Sequence, residues 1–150
     1  MLFVRLDNSC RSRMAEVFAN HYGSDVLRAE SAGIRPVPHV SAAARRLMRE
    51  NGLEIADQPP KGFDRFHLEH FDLIVNLSGQ VLPPTGPTPV LPMSVPDPAG
   101  RDEEFLRQVR DRIDDQVVHL VRGLRSACVK YTRPAPVWQT TSPPKAMAFA

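Results

Sequence analysis

The sequence predicts one α/β domain in which four parallel strands form a doubly wound sheet flanked by helices. Short apolar segments alternate along the chain with segments whose apolar residues recur every three or four positions, as in folds where a helix follows each strand. Residues 71–77 have the continuous apolar centre that is typical of a strand buried on both faces. In such a sheet a ligand site is expected beyond the carboxyl ends of the strands.

The composition fits one domain and excludes several classes of protein. A chain of 150 residues with 42% hydrophobic content has room for one core of ordinary size. Its 19 Lys and Arg residues against 17 Asp and Glu residues give a net charge of +2, with the arginines spread along the chain, which argues against nucleic-acid binding. No apolar run approaches the roughly 18 residues of a membrane helix, so we expect a cytoplasmic protein without membrane contact.

The cysteines and histidines predict neither a disulfide nor a metal site. Cys10 and Cys128 are the two cysteines, which are too few for a disulfide framework and lack the paired spacing of zinc ligands. The five histidines also form no ligand pattern. We therefore expect reduced thiols, no bound metal and no cofactor.

The first strand and helix are predicted at the start of the chain. Residues 1–4 are an apolar run, and a polar loop follows. Met14, Val17 and Phe18 then share one face of a helix over residues 13–19. The order strand, loop, helix makes the loop after Val4 the first place to look for a ligand site.

The second unit repeats this order. The apolar residues 26–29, which run into residues 31–33, predict the second strand. Ser41 then caps a helix that ends near Glu50, where an Asn-Gly pair follows.

Two further strands and the longest helix complete the prediction. The third strand lies within residues 71–77, and residues 90–93 predict a weaker fourth strand. Between Asp102 and about Arg125 apolar residues recur at helical spacing with charged residues on the opposite face.

The folded domain is expected to span residues 1–131. Residues 132–150 are rich in Pro, Thr and Ser, a composition that does not bury enough apolar surface to offset the entropy of ordering, so a disordered tail is predicted. Trp138 stands alone in this segment and offers an anchor for a protein partner, with an unstructured end as the alternative.

The loop over residues 5–12 has the features of an anion site. It leads from a strand into a helix, where backbone N–H groups and the helix dipole favour a negative charge. Arg11 adds a two-pronged donor for phosphate. The predicted anion-binding residues are Asn8, Ser9, Cys10, Arg11 and Ser12.

Residues 8–16, with the sequence NSCRSRMAE, closely resemble the phosphate loop of the low-molecular-weight tyrosine phosphatases and the thioredoxin-coupled arsenate reductases. Further segments resemble other landmarks of that family in the same order: residues 31–33, 49–53, 71–75 and 97–100. The similarity covers the chain from Met1 to about Leu124. It implies a low-molecular-weight phosphotyrosine phosphatase-like fold over residues 1–131.

Two residues of the loop depart from the family pattern. The family's nucleophilic cysteine stands six residues before the loop arginine, and this position is occupied by Arg5. A guanidinium group has no lone pair to attack phosphorus, so the family's chemistry is expected to be lost. The family also favours glycine where this chain has Asp7, whose carboxylate would repel phosphate. We hypothesise that Arg5 and Asp7 either pair with each other or fill the loop with their own charges.

The other loop residues have structural as well as functional interpretations. Asn8 and Ser12 resemble family residues that hold the loop in shape, and Ser12 is alternatively an ordinary helix N-cap. Cys10 is expected to be a small buried side chain at the start of the helix. As a substitute nucleophile it would stand next to the loop arginine rather than six residues before it.

Asp97, followed by Pro98, resembles the family's general acid, and the resemblance implies that it lies near the loop. An ion pair between Arg5 and Asp97 is a further hypothesis. Arsenate reductases of this type need two more cysteines after the third strand, and Ser78 stands at the first of these positions.

The sequence therefore predicts a catalytically inactive phosphatase-like protein that binds a phosphate- or sulfate-like anion, a phosphorylated protein or another partner. In that interpretation Arg5 marks the missing nucleophile, Arg11 binds the anion and Asp97 keeps the position of the acid. The alternative is an active tyrosine phosphatase, either with a nonstandard nucleophile or with one disabling change at Arg5. Asp7 argues against a single change because it is a second, independent departure.

Overall fold

The computed structural model describes residues 1–131, and the predicted tail at 132–150 lies outside the described residues. Two 3-10 turns, Phe63–Arg65 and Leu68–His70, lie between the second helix and the third strand. In chain order the strands and α-helices are β1 (Leu2–Arg5), α1 (Arg11–Gly23), β2 (Glu30–Gly33), α2 (Ala42–Glu50), β3 (Ile74–Asn76), β4 (Val90–Pro92) and α3 (Glu103–Tyr131).

The four strands form one parallel sheet in the order β2-β1-β3-β4. Phe3 of β1 lies opposite Ser31 on one side and Val75 on the other, so β1 and β3 are the central strands. Because all strands run the same way, their carboxyl ends meet at one edge of the sheet. The predicted four-stranded parallel sheet is confirmed, and β4 is an exposed edge strand.

Alternate residues of β1 enter two apolar clusters on opposite faces of the sheet. Phe3 packs in the larger cluster with residues of α1, α2 and α3. Leu2 and Val4 pack in the smaller one with Ile74 and Phe63, the latter from a 3-10 turn. Helical segments therefore flank both faces, and each fully buried large side chain contributes roughly 1.5–3 kcal/mol.

The second strand begins later than residues 26–29 predict. The backbone amides of Val26 and Leu27 both donate to the carbonyl of Gly23 at 2.9 Å, which makes these residues a turn at the end of α1. The amide side chain of Asn20 then bonds both backbone groups of Ala29 at 2.9 Å. These local bonds satisfy the backbone before the sheet begins at Glu30.

The helices are longer than their apolar patterns predict. The first begins at Arg11 rather than at Arg13, and the last continues to Tyr131 because no glycine or proline follows Arg125 before Pro134. Asp102 caps the last helix by accepting a hydrogen bond from the Phe105 amide at 2.9 Å. No helix within residues 1–131 is both long and apolar enough to cross a membrane.

Candidate anion-binding site

The loop between β1 and α1 is fixed on its outer side by main-chain hydrogen bonds. The carbonyls of Arg5, Leu6, Asp7 and Ser9 accept from the amides of Ile34, Arg35, Val37 and Ser41 at 2.7–3.2 Å. A methyl group at Gly33 would come within 2.9 Å of the Asp7 carbonyl carbon. The segment after β2 therefore approaches the loop more closely than a larger residue at this position allows.

Asn8 is the side chain that holds the loop in its conformation. It is fully buried and adopts a left-handed backbone conformation with φ of 56°. Its Nδ2 donates to the hydroxyls of Ser12 at 3.0 Å and Ser31 at 2.9 Å, and its Oδ1 accepts from the Lys61 amide at 2.8 Å. One side chain thus joins α1, β2 and the segment before the 3-10 turns.

The network continues through Ser31 to charged groups. The Ser31 hydroxyl donates to the Glu16 carboxylate, which lies 3.5 Å from the Lys61 ammonium group. Glu16 belongs to the sequence motif that carries the family resemblance, whereas nothing in the sequence around Lys61 indicates its place at the loop. Lys61 is the member of the site that sequence reasoning missed.

Arg5 ends β1 and sends a buried side chain into the site. The residue is 9% exposed, and its Nε is one of the buried side-chain atoms without a hydrogen-bond partner among the described residues. Its Nη2 lies 3.9 Å from Oδ1 of Asp97, which is too long for a hydrogen bond. The guanidinium group is therefore enclosed but incompletely satisfied.

Arg11 is held by the segment that precedes α3. Its Nη2 donates to Asp97 Oδ1 at 2.9 Å and its Nη1 donates to the Pro96 carbonyl at 3.2 Å. Arg11 is almost fully buried, whereas the Asp97 side chain is 62% exposed. The structure thus brings three predicted site residues together, with the Asp97 carboxylate next to both guanidinium groups.

Asp7 does not pair with Arg5 in the described part of the chain, and in this respect the sequence hypothesis is wrong. Its Oδ1 accepts a hydrogen bond from the Ser9 amide at 3.2 Å. This two-residue separation is the geometry of an Asx turn, which local backbone preference favours over a longer contact. One loop amide is consequently satisfied by the protein's own carboxylate.

Cys10 is a partly buried residue at the start of α1. Burial, followed by the negative charge of Asp7, raises the pKa of its thiol from 9.0 to about 12. The thiolate is therefore scarce at neutral pH, and the thiolate is the nucleophilic form.

Cys10 also occupies the N-cap position of α1. The interpretation of Ser12 as the N-cap is therefore wrong. Ser12 is the second helical residue, and its hydroxyl accepts a hydrogen bond from Asn8 instead.

A cavity of about 900 Å³ opens beside the two arginines. The loop after β3, the end of β4 and Asp97 complete its wall. Its apolar lining includes Leu77, Val81, Leu82, Pro92, Met93 and Val95. The cavity lies at the carboxyl ends of β1, β3 and β4, which is where a parallel sheet places its ligands.

Ser78 lies in the wall of this cavity and takes part in a local turn. Its hydroxyl donates to Asn76 Oδ1 at 2.6 Å and accepts from the Gln80 amide at 3.1 Å. The free cysteines are Cys10 and the exposed Cys128 near the far end of α3. In residues 1–131 no three His, Cys, Asp or Glu side chains are grouped so as to hold a metal ion.

Comparisons with known proteins place this geometry in a family. A glutaredoxin arsenate reductase from Synechocystis is 31% identical over 125 residues, which cover 81% of this chain and 95% of that protein. The crystal structure of an arsenate reductase from Archaeoglobus fulgidus is 38% identical, with a TM-score of 0.73 over 81% of this chain and 98% of that one. The structure of an arsenate reductase in the phosphate binding state is 31% identical, with a TM-score of 0.75 over 82% of this chain and 96% of that one.

A sequence model of one protein family matches the first part of this chain. The model of the low molecular weight phosphotyrosine protein phosphatases matches residues 1–83, which contain the loop, Asn8 and its partners, and three of the four strands. The fold, the loop network and the two relatives with solved structures agree with this match. The chain belongs to the low molecular weight phosphotyrosine protein phosphatase family.

Proposed function

We propose that this protein is a noncatalytic member of its family that binds a phosphate- or sulfate-like anion, free or carried by a phosphorylated protein. The observation that carries the proposal is the buried Arg5 guanidinium, which stands at the position of the family's nucleophile and whose Nε has no hydrogen-bond partner within residues 1–131. A cationic guanidinium group, which attracts anions, thus stands where the family has its nucleophilic thiol.

Loss of catalysis follows from the chemistry of the groups near the loop. Arg5 remains protonated and offers no electron pair. Cys10 is the nearest thiol, but its raised pKa of about 12 leaves little thiolate. Asp97 pairs with Arg11 at 2.9 Å and, as a general acid, has no nucleophile to work with.

Anion binding is supported by the charge of the cavity wall. Arg5 and Arg11 both line the cavity, and guanidinium groups bind oxyanions through charge-assisted hydrogen bonds. The loop leads directly into α1, whose N-terminal amides add to this field. A similar arsenate reductase has been solved in a phosphate binding state, which agrees with an anion at this loop. Asn8 and Ser12 keep the loop in shape.

Arsenate reduction is not proposed, although relatives of this chain carry that name. The relay of thiols in such enzymes requires an attacking cysteine and two further ones. Here the corresponding positions hold Arg5 and Ser78, and no cysteine lies between Cys10 and Cys128. A thiol relay would lack its attacking cysteine and the first of the two further cysteines.

The proposal is tested by measuring hydrolysis and binding on the full chain. We expect no turnover of para-nitrophenyl phosphate by the parent protein and turnover by the Arg5→Cys/Asp7→Gly variant. Hydrolysis by the parent would contradict the noncatalytic assignment. Restoration by Arg5→Cys alone would show that Asp7 is no barrier and favour a single disabling change.

Phosphate binding is measured by isothermal titration calorimetry at an ionic strength of about 0.15 M, where the Debye length is about 8 Å. We expect Arg11→Met to weaken binding by about tenfold or more, because it removes a charge-assisted pair of donors. Arg112→Met removes the same charge from an exposed position of α3 and should leave the Kd within about twofold, since exposed charges are screened by solvent. A parent protein that binds no phosphate would refute anion binding.

A further inference from the structure

The Asp97 carboxylate already occupies the space beside the two arginines where an anion would bind. Its Oδ1 lies 2.9 Å from Arg11 Nη2 and 3.9 Å from Arg5 Nη2. We propose that Asp97 is a built-in competitor of the anion site, so that a ligand must displace this carboxylate before both guanidinium groups can hold it. This inference rests on the proposed function and concerns the regulation of the same site.

Both terminal nitrogens of Arg11 are already engaged by the protein itself. One terminal nitrogen donates to Asp97 and the other donates to the Pro96 carbonyl. A ligand that uses the two-pronged geometry of this guanidinium group must take these positions from the 96–97 segment. The end-on pair of terminal nitrogens is consequently free for a ligand only when that segment moves away.

The competitor is itself weakly attached. Asp97 is 62% exposed, and its segment lies between the end of β4 and the start of α3, outside any strand or helix. Its other bond is a local one from the Ala99 amide at 3.2 Å. Ion pairs with an exposed partner contribute little because water competes with them, so a stronger anion can displace it.

Asp97 also fails to reach the donors of Arg5. Arg5 is nine-tenths buried, its Nε has no partner in the described chain and its nearest contact with Asp97 is 3.9 Å. Nε itself has no exposed surface, but Arg5 lines the cavity, so a ligand that sits deeper there can gain its terminal nitrogens, which Asp97 does not reach within hydrogen-bond distance. The Asp97 carboxylate is therefore hydrogen-bonded to one arginine, whereas an anion that contacts both arginines would be bound by two.

The test compares inorganic phosphate binding by the parent protein, Asp97→Asn and Asp97→Ala with titration calorimetry. Both substitutions should lower the Kd by about three- to fivefold, the range that an ion pair with an exposed partner allows. Two variants are used because Asn keeps the shape of Asp, whereas Ala removes the side chain; a common result identifies the charge as the cause. Thermal melting checks that each variant is folded.

Asp102→Asn is the matched control for the loss of one negative charge near the site. Asp102 caps α3 and shares the wall of a smaller cavity with Asp97, yet no contact joins it to Arg5 or Arg11 among the described residues. Asn caps a helix as well as Asp does. This variant should bind phosphate within about twofold of the parent, because a more distant charge is screened.

The outcomes separate the two proposals. An equal Kd for the parent and both Asp97 variants would overturn the competitor while anion binding stands. An equal gain in the Asp102 variant would assign the effect to net charge and also overturn it. If neither the parent nor any variant binds phosphate, anion binding itself fails, and the competitor fails with it.

Discussion

The loop after β1 has two sides that differ in how completely their polar groups are satisfied. On the outer side, four carbonyls and the Asn8 side chain bond to the segment after β2, to α1 and to Lys61. On the side that faces the cavity, here called the cleft side, Arg5 has a buried Nε without a hydrogen-bond partner among the described residues. Its Nη2 approaches Asp97 Oδ1 only to 3.9 Å. The polar groups of the outer side have their hydrogen bonds within the protein, whereas the cleft side keeps donors that a ligand could use.

The difference indicates that the shape of this loop does not depend on the side chain at position 5. Asn8, Ser12 and Ser31 are joined by hydrogen bonds in which the side chains of Arg5 and Asp7 take no part. Buried hydrogen bonds are costly to lose, so the outer side is constrained by folding itself.

The largest expected effect is on the outer side. Asn8→Ala should lower the free energy of unfolding by about 3 kcal/mol, because it leaves several buried partners without hydrogen bonds. Chemical denaturation measures the change. Asn8→Gly is the control, since glycine adopts the left-handed conformation without strain and should lose slightly less. A loss below about 1 kcal/mol in both variants would mean that the network does not hold the loop.

An intermediate effect is expected for Cys10 at alkaline pH. Its folded pKa is raised from 9.0 to about 12, so the folded state binds the proton more tightly than the unfolded state. The stabilisation is complete below about pH 9 and is lost as the pH rises through 12. Between pH 8 and pH 10 the parent should lose about 1 kcal/mol more than Cys10→Ala, measured by urea unfolding. Parallel losses in both proteins would contradict a raised pKa.

The smallest effect is expected on the cleft side. Arg5→Met should change the free energy of unfolding by less than about 1 kcal/mol, or raise it, because it replaces a buried and poorly partnered charge with an apolar chain of similar length. Chemical denaturation again provides the measurement.

Arg110→Met is the control for that experiment. Arg110 is similarly buried but bonds the Leu47 carbonyl, Glu50 and Asp111, so its loss should cost roughly 3 kcal/mol. Equal costs at Arg5 and Arg110 would mean that Arg5 is as well satisfied as Arg110, and the contrast between the two sides of the loop would disappear.

The sequence predicted the parts of the molecule that local patterns encode. The apolar run of β3, the periodicity of α3 and the Ser41 cap each depend on neighbouring residues, and each corresponds to an element of the structure. The resemblance to the family implied that Asp97 lies near the loop, and the structure places it against Arg11. The separation of these two residues in the sequence does not reveal this contact.

The parts that sequence did not predict depend on contacts between distant residues. Lys61 meets Asn8 across 53 positions, and no local pattern encodes such a contact. Asp7 had two available partners, and the short Asx turn with Ser9 prevailed over the pair with Arg5. The apolar residues Val26 and Leu27 resemble a strand, but the end of α1 folds them back through Gly23.

The exposed edge strand β4 has a consequence for association between copies of the protein. An open sheet edge invites another strand to add to it through free N–H and C=O groups. Met93 donates to Asn76 of β3, so the preceding residue, Pro92, faces the open edge at the end of β4, where proline has no N–H to donate. A neighbouring chain would therefore find too few donors for a continuous ladder, which protects this edge from aggregation.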